Sequence, residues 1–369
     1  MKIYFILNAY EGVKKIINYS DTYEANNRRV TKFVKSWQQE FYILAKKKNK
    51  CKIAYPSIFT EYFDKKNENY LDFVDSEIRK FKPNVIFSSV NTNDINTLIS
   101  NNNSEKCKSI IWHSAFISRS DIINLSCKYN YLLTDNSKII RLSNLVNFKN
   151  FFLMISVPKI KNKKISFQKR KDDIYFSGSL SNKFYYRNII LNFLASYEKI
   201  FFRIRYIPEN YKILNYFNKW FVIFFPKLAN YFYKKKILPL TNNLKFYNKE
   251  DIHGKNLLDE MANFKFTINC HSDFDINCAV NMRVFESLAC GNLLFTDSHI
   301  FMKKYFINKK HLIYYENKAD LKSKINYYKN NLNKAERIAL QGYKLVSNKH
   351  NCHIRYKEFQ KILKNINNS

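Results

Sequence analysis

Short apolar runs alternate with longer polar or amphipathic segments over the first 155 residues of the chain. This alternation is typical of βαβ units and predicts a parallel sheet. The apolar runs predict strands at residues 2–7, 51–55, 84–88, 109–113, 131–134 and 151–155. The segments 24–46 and 70–80 predict helices. Each crossover is long enough to return the chain to a parallel neighbour.

A second series of the same kind follows residues 159–171, which carry seven basic residues without periodicity and predict a linker. Its predicted strands are 173–177, 264–269, 293–296 and 311–315, and its predicted helices are 183–195, 254–263, 283–290 and three amphipathic helices at the C-terminus. An aromatic-rich insert occupies residues 201–246. Two successive parallel-sheet halves predict an α/β protein of two Rossmann-like domains with a cleft between them. Ligands of such sheets bind outside the carboxyl ends of the strands.

Length and composition agree with two folded domains. The chain has 369 residues, of which 46% are hydrophobic and 17% aromatic, with only 5 Gly and 6 Pro. A chain of this length exceeds one ordinary core. Abundant Phe and Tyr bury large apolar areas, which excludes a disordered or fibrous protein.

The net charge of +33 attracts phosphates, anionic lipid or nucleic acid. The joint abundance of Lys, Asn, Ile, Tyr and Phe also fits an AT-rich genome, so charge alone does not decide between partners. The seven cysteines form no CxxC pair and no zinc-like spacing, which predicts reduced thiols and no metal site. The N-terminal apolar run is too short for a signal peptide, and no run is long enough to span a membrane. We therefore expect a cytoplasmic protein that can also lie peripherally on the inner face of the membrane.

The segment 269–297, NCHSDFDINCAVNMRVFESLACGNLLFTD, is the most informative. A strand ends at Asn269, a polar loop follows, a helix opens near Asn281, and Gly291 suits a helix C-cap. The free N–H groups of such a helix bind a diphosphate at the strand ends. Arg283 in the first turn adds a fork for phosphate oxygens, and Glu286 can accept hydrogen bonds from a ribose diol. An ordinary amphipathic helix with an exposed Glu has the same spacing.

RVFESLACGNLLFTD resembles the C-terminal signature of group 1 type glycosyltransferases, particularly the spore-maturation-like subgroup. The downstream strand and helix, the RIALQG segment and the final His and Arg are similar to that family's tail. Upstream, IYFSGSLSNKFYYRN resembles the strand and Gly loop that open the donor domain. The resemblance covers residues 173–360 well and the N-terminal half only in outline.

The resemblance implies the GT-B fold of two Rossmann-like domains facing across a cleft. The N-terminal domain, residues 1–158, would bind the acceptor, and the linker would span 159–172. The nucleotide-sugar domain would span 173–350, and a helix at 351–369 would pack back on the N-terminal domain. A UDP- or GDP-sugar would donate its glycosyl group, with retention of the anomeric configuration, to a glycan or lipid-linked glycan. This acceptor would belong to surface polysaccharide, lipopolysaccharide or capsule biosynthesis. No cofactor and no bound metal are expected.

Residue by residue, Glu286 matches the family's ribose-binding glutamate, and Arg283 matches its Arg three positions earlier. Gly178 matches the loop glycine. Lys183 or Arg187 falls where basic residues meet the leaving phosphates. The family's first glutamate is Cys278 here, and its usual Arg after the loop glycine is Ser179, so the resemblance does not identify the sugar.

Two histidines are further candidates. His113 ends a predicted strand where related enzymes place a histidine facing the donor sugar, so it can bind a hydroxyl or act as a base on the acceptor. His271 follows the strand 264–269 and is a second cleft candidate. A structural histidine at a strand end is the alternative for both, and neither has a metal-ligand spacing with another His or carboxylate.

The insert carries an aromatic stripe, from Ile213 to Phe224 and including Trp220, flanked by lysines. It can lie on an anionic membrane surface or simply belong to a core. A GT-B enzyme of another family, such as a fucosyltransferase, is a rival function, although its Tyr-x-x-Glu-Lys-type segment is absent. A basic nucleic-acid-binding protein is a second rival, although the chain has no RNP segment or GXXG loop, so no nucleic-acid partner is expected.

Overall fold

The computed structural model describes residues 1–9, 11–33, 36–115, 117–157, 166–179, 185–197, 200–204, 248–249, 252, 254–271 and 278–367. The chain divides into two compact units, Met1–Lys159 with Lys349–Ser369, and Ile160–Asn348. Each unit contains a six-stranded parallel sheet with helices. The predicted α/β class with two parallel sheets is confirmed.

The sheet of the first unit has the strand order β2-β1-β3-β4-β5-β6. Its strands are β1 Lys2–Ile6, β2 Lys50–Ala54, β3 Val85–Ser88, β4 Lys108–Trp112, β5 Tyr131–Thr134 and β6 Asn150–Phe152. Its helices are α1 Tyr23–Phe33, α2 Trp37–Lys46, α3 Pro56–Asp64, α4 Tyr70–Phe81, α5 Asn93–Asn101, α6 Arg119–Ser126, α7 Ser137–Asn144 and, from the C-terminus, α14 Cys352–Asn367. Strands β3 and β5 are buried along their whole length, as expected of a parallel sheet covered on both faces.

The predicted helix over residues 24–46 is wrong, because two helices occupy this segment. Helix α2 has its own N-cap, Ser36, whose side chain accepts a hydrogen bond from the Gln39 backbone N–H. A serine that caps in this way favours a new helix start over helix continuation. Four short helices of eight or nine residues, α3, α5, α6 and α7, were not predicted from the sequence.

Helix α14 completes the core of the first unit although it comes from the far end of the chain. The Phe359 ring lies 5.4 Å from the Phe41 ring and 5.3 Å from the Phe87 ring, measured between centroids. Phe41 is in α2 and Phe87 is in β3, so the C-terminal helix packs against both a helix and the sheet.

The sheet of the second unit has the strand order β12-β11-β10-β7-β8-β9. Its strands are β7 Lys171–Gly178, β8 Ile200–Ile204, β9 Asn248–Lys249, β10 Phe264–Asn269, β11 Leu293–Asp297 and β12 Ile313–Tyr315. Its helices are α8 Tyr185–Tyr197, α9 Gly254–Met261, α10 Met282–Ala289, α11 Ile300–Lys303, α12 Lys318–Asn330 and α13 Leu332–Lys349. Strand β7 begins inside the segment predicted as linker, and β8 occupies the start of the predicted insert.

This order places β7, the first strand of the unit, in the middle of the sheet. The chain proceeds from β7 through β8 to β9 on one side, then returns to β10 on the other side of β7 and continues to β12. The direction of winding therefore reverses between β7 and β10. In doubly wound sheets this reversal opens a crevice at the carboxyl ends of the two strands.

Three predicted features lie outside the described residues: Lys183, the aromatic stripe with Trp220, and residues 159–165 of the linker. Within the described part of the chain, no helix has both the length and the apolar character required to cross a bilayer.

Candidate functional site

The candidate site lies at the carboxyl ends of β7 and β10, where the winding of the second sheet reverses. Strand β7 ends with Ser177 and Gly178, and β10 ends with Asn269. Polar residues that follow buried strands at this edge are placed to contact a ligand.

Helix α10 begins at this edge with a polar cap. The side chain of the N-cap residue Asn281 accepts a hydrogen bond from the Arg283 N–H at 3.0 Å. Val284, Phe285 and Leu288 are fully buried and fix the helix against the sheet. The Val284 N–H donates to the Asn281 carbonyl oxygen at 3.0 Å, so Asn281 bonds two N–H groups of the first turn. The helix dipole favours an anion at this N-terminus.

Arg283 and Glu286 lie one turn apart on α10 and form an ion pair between Nη1 and Oε2. The Arg283 Nε also donates to the Ser177 carbonyl oxygen at 3.1 Å, which ties the helix to the end of β7. The Arg283 side chain is 23% exposed and that of Glu286 is 11% exposed. A partly exposed guanidinium beside a helix N-terminus is suited to bind phosphate oxygens.

Gly178 has too little space around it for a side chain. A Cβ atom at this position would lie 3.0 Å from the Phe176 ring atom Cζ. A larger residue would press on this ring or move the backbone of the loop that follows β7. Because glycine has no side chain, a ligand can approach the backbone closely at the end of β7.

Arg187, on α8, is buried and binds the two loops that flank the reversal. Its Nε donates to the Cys270 carbonyl oxygen at 2.9 Å, and its Nη1 donates to the Ser179 carbonyl oxygen at 2.8 Å. The structure thus gives Arg187 contacts that hold the loops after β10 and β7 together, in addition to the phosphate role predicted from its position.

His271 belongs to a buried cluster with Asp297 and His299. The His271 Nδ1 lies 2.8 Å from Asp297 Oδ1, and the His299 Nε2 lies 2.8 Å from Asp297 Oδ2. Asp297 also accepts a hydrogen bond from the His271 backbone N–H at 3.0 Å and one from the Thr296 hydroxyl at 3.1 Å. All three members of the cluster are nine-tenths or more buried.

The hydrogen bonds fix the tautomer of His271. The Asn281 backbone N–H donates to His271 Nε2 at 3.3 Å, so this nitrogen accepts and the Nδ1 carries the proton that goes to Asp297. Burial alone would raise the pKa of Asp297, but the interactions of His271 and His299 with this carboxylate outweigh burial and hold its pKa well below its usual range. The cluster therefore connects an ionised carboxylate at the end of β11 to the start of α10.

The same three residues could hold a metal ion. One nitrogen from each histidine and a carboxylate oxygen of Asp297 lie within 4.8 Å of one another. The expectation from sequence that His271 has no metal-ligand spacing with another His or carboxylate is therefore wrong. The signal was the polar Asp-Ser-His segment that begins at the last residue of the apolar strand β11, because parallel strand ends meet at one edge of a sheet.

His113 lies in the first unit, directly after β4. Its backbone N–H donates to the Leu133 carbonyl oxygen at 2.9 Å, and the residue is half-buried. The structure thus places Arg283, Glu286, Gly178, Arg187, His271 and Asn281 together on the second unit, whereas His113 belongs to the first.

Comparison with known proteins agrees with this architecture. Residues 221–361 match a family model described as glycosyl transferase-like. No curated protein gives a significant match to the sequence.

Solved structures resemble the chain over nearly its whole length. HepE of Anabaena, in complex with UDP-glucose, is 10% identical with a TM-score of 0.62, and the match covers 99% of this chain and 100% of that one. A glycosyltransferase of Rickettsia africae is 14% identical with a TM-score of 0.57, covering 99% and 98%. The sucrose-phosphate synthase of Thermosynechococcus elongatus is 8% identical with a TM-score of 0.59, covering 98% of both chains. The resemblance to glycosyltransferases and the GT-B architecture are confirmed, whereas the spore-maturation-like subgroup stays a prediction.

Proposed function

Because the chain has a glycosyltransferase-like domain and the architecture of GT-B glycosyltransferases, we propose that it transfers a glycosyl group from a UDP-sugar to a glycan acceptor. The observation that carries the proposal is the junction of α10 with the reversal of the second sheet. There a helix N-terminus, the Arg283 guanidinium and the Glu286 carboxylate are held at one strand edge.

In the proposed complex the diphosphate lies at the start of α10. The Arg283 guanidinium binds its oxygens, and the positive end of the helix dipole stabilises their charge. Negative charge grows on these oxygens as the bond to the sugar breaks, so donors fixed in advance stabilise the transition state more than the ground state. Arg283 is fixed by its bond to the Ser177 carbonyl oxygen.

Glu286 is proposed to bind the ribose diol. Its Oε2 accepts from Arg283. An ionised carboxylate has lone pairs for about four hydrogen bonds, so it can accept from a ribose hydroxyl while it keeps the arginine. Glu286 would thus orient the nucleoside and the arginine at the same time.

The uridine nucleotide is proposed because HepE, which shares the fold, is known in complex with UDP-glucose. The acceptor is proposed to be a lipid-linked or surface-polysaccharide glycan, with retention of the anomeric configuration. Both of these finer proposals rest on the resemblance to the group 1 type family. His113 and Lys183 stay candidates for acceptor activation and for phosphate binding.

A thermal-shift panel tests the proposal. UDP and UDP-sugars should raise the melting temperature of the full chain, whereas adenosine and cytidine diphosphates should not. GDP and GDP-sugars form the third arm, since the resemblance permits either nucleotide. A matching assay of UDP release from each UDP-sugar then identifies the donor. A panel in which no nucleotide or nucleotide-sugar changes the melting temperature would refute the proposed function.

A further inference from the structure

Two adjoining cavities on the first unit are lined by cationic side chains. The larger, of about 660 Å³, is lined by six lysines, which are Lys2, Lys46, Lys47, Lys48, Lys50 and Lys82. The smaller, of about 480 Å³, is lined by the apolar residues Tyr42, Ile43 and Ile53 and by Arg28, Lys32, Lys46 and Lys47. Lys46 and Lys47 line both cavities, so the two form one surface, which we call the basic groove.

The larger cavity of the basic groove lies at the amino edge of the first sheet, and the smaller cavity extends along β2 to Ile53. Lys2 and Lys50 are the first residues of β1 and β2, and Lys82 precedes β3 by three positions. Substrates of open α/β sheets bind at the opposite, carboxyl edge. Anions bound in the larger cavity would therefore leave the carboxyl edge of this unit accessible.

The basic groove carries more positive charge than the neighbouring helix C-termini neutralise. Helices α2 and α4 end here, at Lys46 and Phe81, and each helix C-terminus carries about half a negative charge. Six lysines thus face about one negative charge. Across the described residues, none of these lysines forms an ion pair with a carboxylate. The surplus positive charge is available to an external anion.

The apolar part of the basic groove fits hydrocarbon. Tyr42, Ile43 and Ile53 line its wall, and the cationic residues Arg28, Lys32, Lys46 and Lys47 surround them. Phe33, which follows Lys32 at the end of α1, is 62% exposed. Basic residues beside apolar and aromatic ones bind the interface of an anionic bilayer, where phosphates and acyl chains lie next to each other.

We propose that the basic groove docks this protein on a membrane that contains anionic lipids. The lysines bind the lipid phosphates, and acyl-chain carbons contact the half-buried Ile43, behind which Tyr42 and Ile53 are buried. This assignment goes beyond the glycosyl transfer proposed above.

Co-sedimentation with vesicles of phosphatidylglycerol and phosphatidylcholine tests the proposal without nucleotide or sugar. One lysine near an anionic surface changes the partition coefficient by about fivefold. The triple substitution of Lys46, Lys47 and Lys48 to Ala should therefore weaken binding about a hundredfold. The matched control replaces Lys303, Lys318 and Lys344, three exposed lysines of the second unit, and has the same net charge. It should change binding by no more than about threefold.

An equal loss in the two triple variants, or no loss in either, would overturn the proposal. Melting curves verify that both variants fold, which is expected because all six side chains are exposed. High salt shortens the reach of surface charges to about 3 Å and isolates the apolar contact. Ile43→Ser should then lower the residual bound fraction, and residual binding equal to that of the wild type would refute the acyl-chain contact. Because the assay contains no donor, either result leaves the proposed transferase function to its own test.

Discussion

Replacement of Asp297 by asparagine tests whether the buried His271–Asp297–His299 cluster stabilises the second unit. Asp297 accepts hydrogen bonds from both imidazoles, from the His271 backbone N–H and from the Thr296 hydroxyl. Asparagine keeps one oxygen acceptor, but it removes the charge and presents N–H donors to groups that already donate.

The expected cost follows from these contacts. A hydrogen bond to a charged group contributes about 1.5–3 kcal/mol, whereas a neutral one contributes about 0.5–1.5 kcal/mol. Because two imidazole contacts lose the charge and one side of the amide faces a donor, we expect Asp297→Asn to lower the free energy of unfolding by about 2–4 kcal/mol at neutral pH. Urea-induced unfolding of the full chain, followed by far-UV circular dichroism, measures this change in the free energy of unfolding.

Asp259→Asn is the matched control in the same unit. Asp259 is 37% exposed and pairs with Lys255, which is 66% exposed, on the surface of α9. A pair of this kind contributes little, so the control should change the unfolding free energy by less than about 1 kcal/mol.

The effect of Asp297→Asn should also depend on pH. The pKa of Asp297 is lowered in the folded state, so the carboxylate stabilises the fold above the unfolded-state pKa of about 3.9. This contribution is lost as the pH falls from about 5 toward the folded-state pKa. The wild type and Asp297→Asn should therefore converge in stability in acid. A constant difference down to pH 3, or a variant as stable as the wild type at pH 7, would refute the reasoning.

Three further predictions concern packing, catalysis and pH. Gly342→Ala should destabilise the second unit by about 1–3 kcal/mol, since the new Cβ would lie 2.4 Å from the His311 carbonyl oxygen; an unchanged urea midpoint would contradict this close packing. Arg283→Ala should lower turnover of the UDP-sugar about a hundredfold or more, with Arg283→Lys only a partial rescue because the fork is lost; alanine turnover like that of the wild type would move the role to Lys183 or Arg187. Burial and the charges of Arg355 and Lys349 lower the pKa of His350 to about 4, so the free energy of unfolding should decrease as the pH falls from about 6.5 toward 4. His350→Gln should make this dependence on pH shallower, and an unchanged dependence would exclude His350 as its cause.

The sequence predicted the parallel sheets because their strands are continuous apolar runs. Strands β3, β5 and β11 were found almost to the residue, since each is buried along its length. Helix boundaries were less predictable. The break between α1 and α2 depends on one hydrogen bond from the Gln39 N–H to Ser36, and a serine within a helical pattern does not reveal whether it caps.

The candidate site was predictable where its residues are close in sequence. Asn281, Arg283 and Glu286 share one helix start, so their spacing alone placed them together. The contacts of Arg187 with the Cys270 and Ser179 carbonyl oxygens and the approach of His299 to Asp297 were not predictable in this way. They depend on which strands become neighbours in the sheet, and one sequence does not specify that order.

Calorimetric titration of UDP into the wild type and Glu286→Ala tests the central claim most directly, with Glu336→Ala, on the surface of α13, as the control. We predict that UDP binds the wild type, that Glu286→Ala weakens binding by about 1.5–3 kcal/mol because a hydrogen bond to a charged group is lost, and that Glu336→Ala binds like the wild type. Equal affinity of the wild type and a folded Glu286→Ala would contradict the assignment of the donor site to the start of α10.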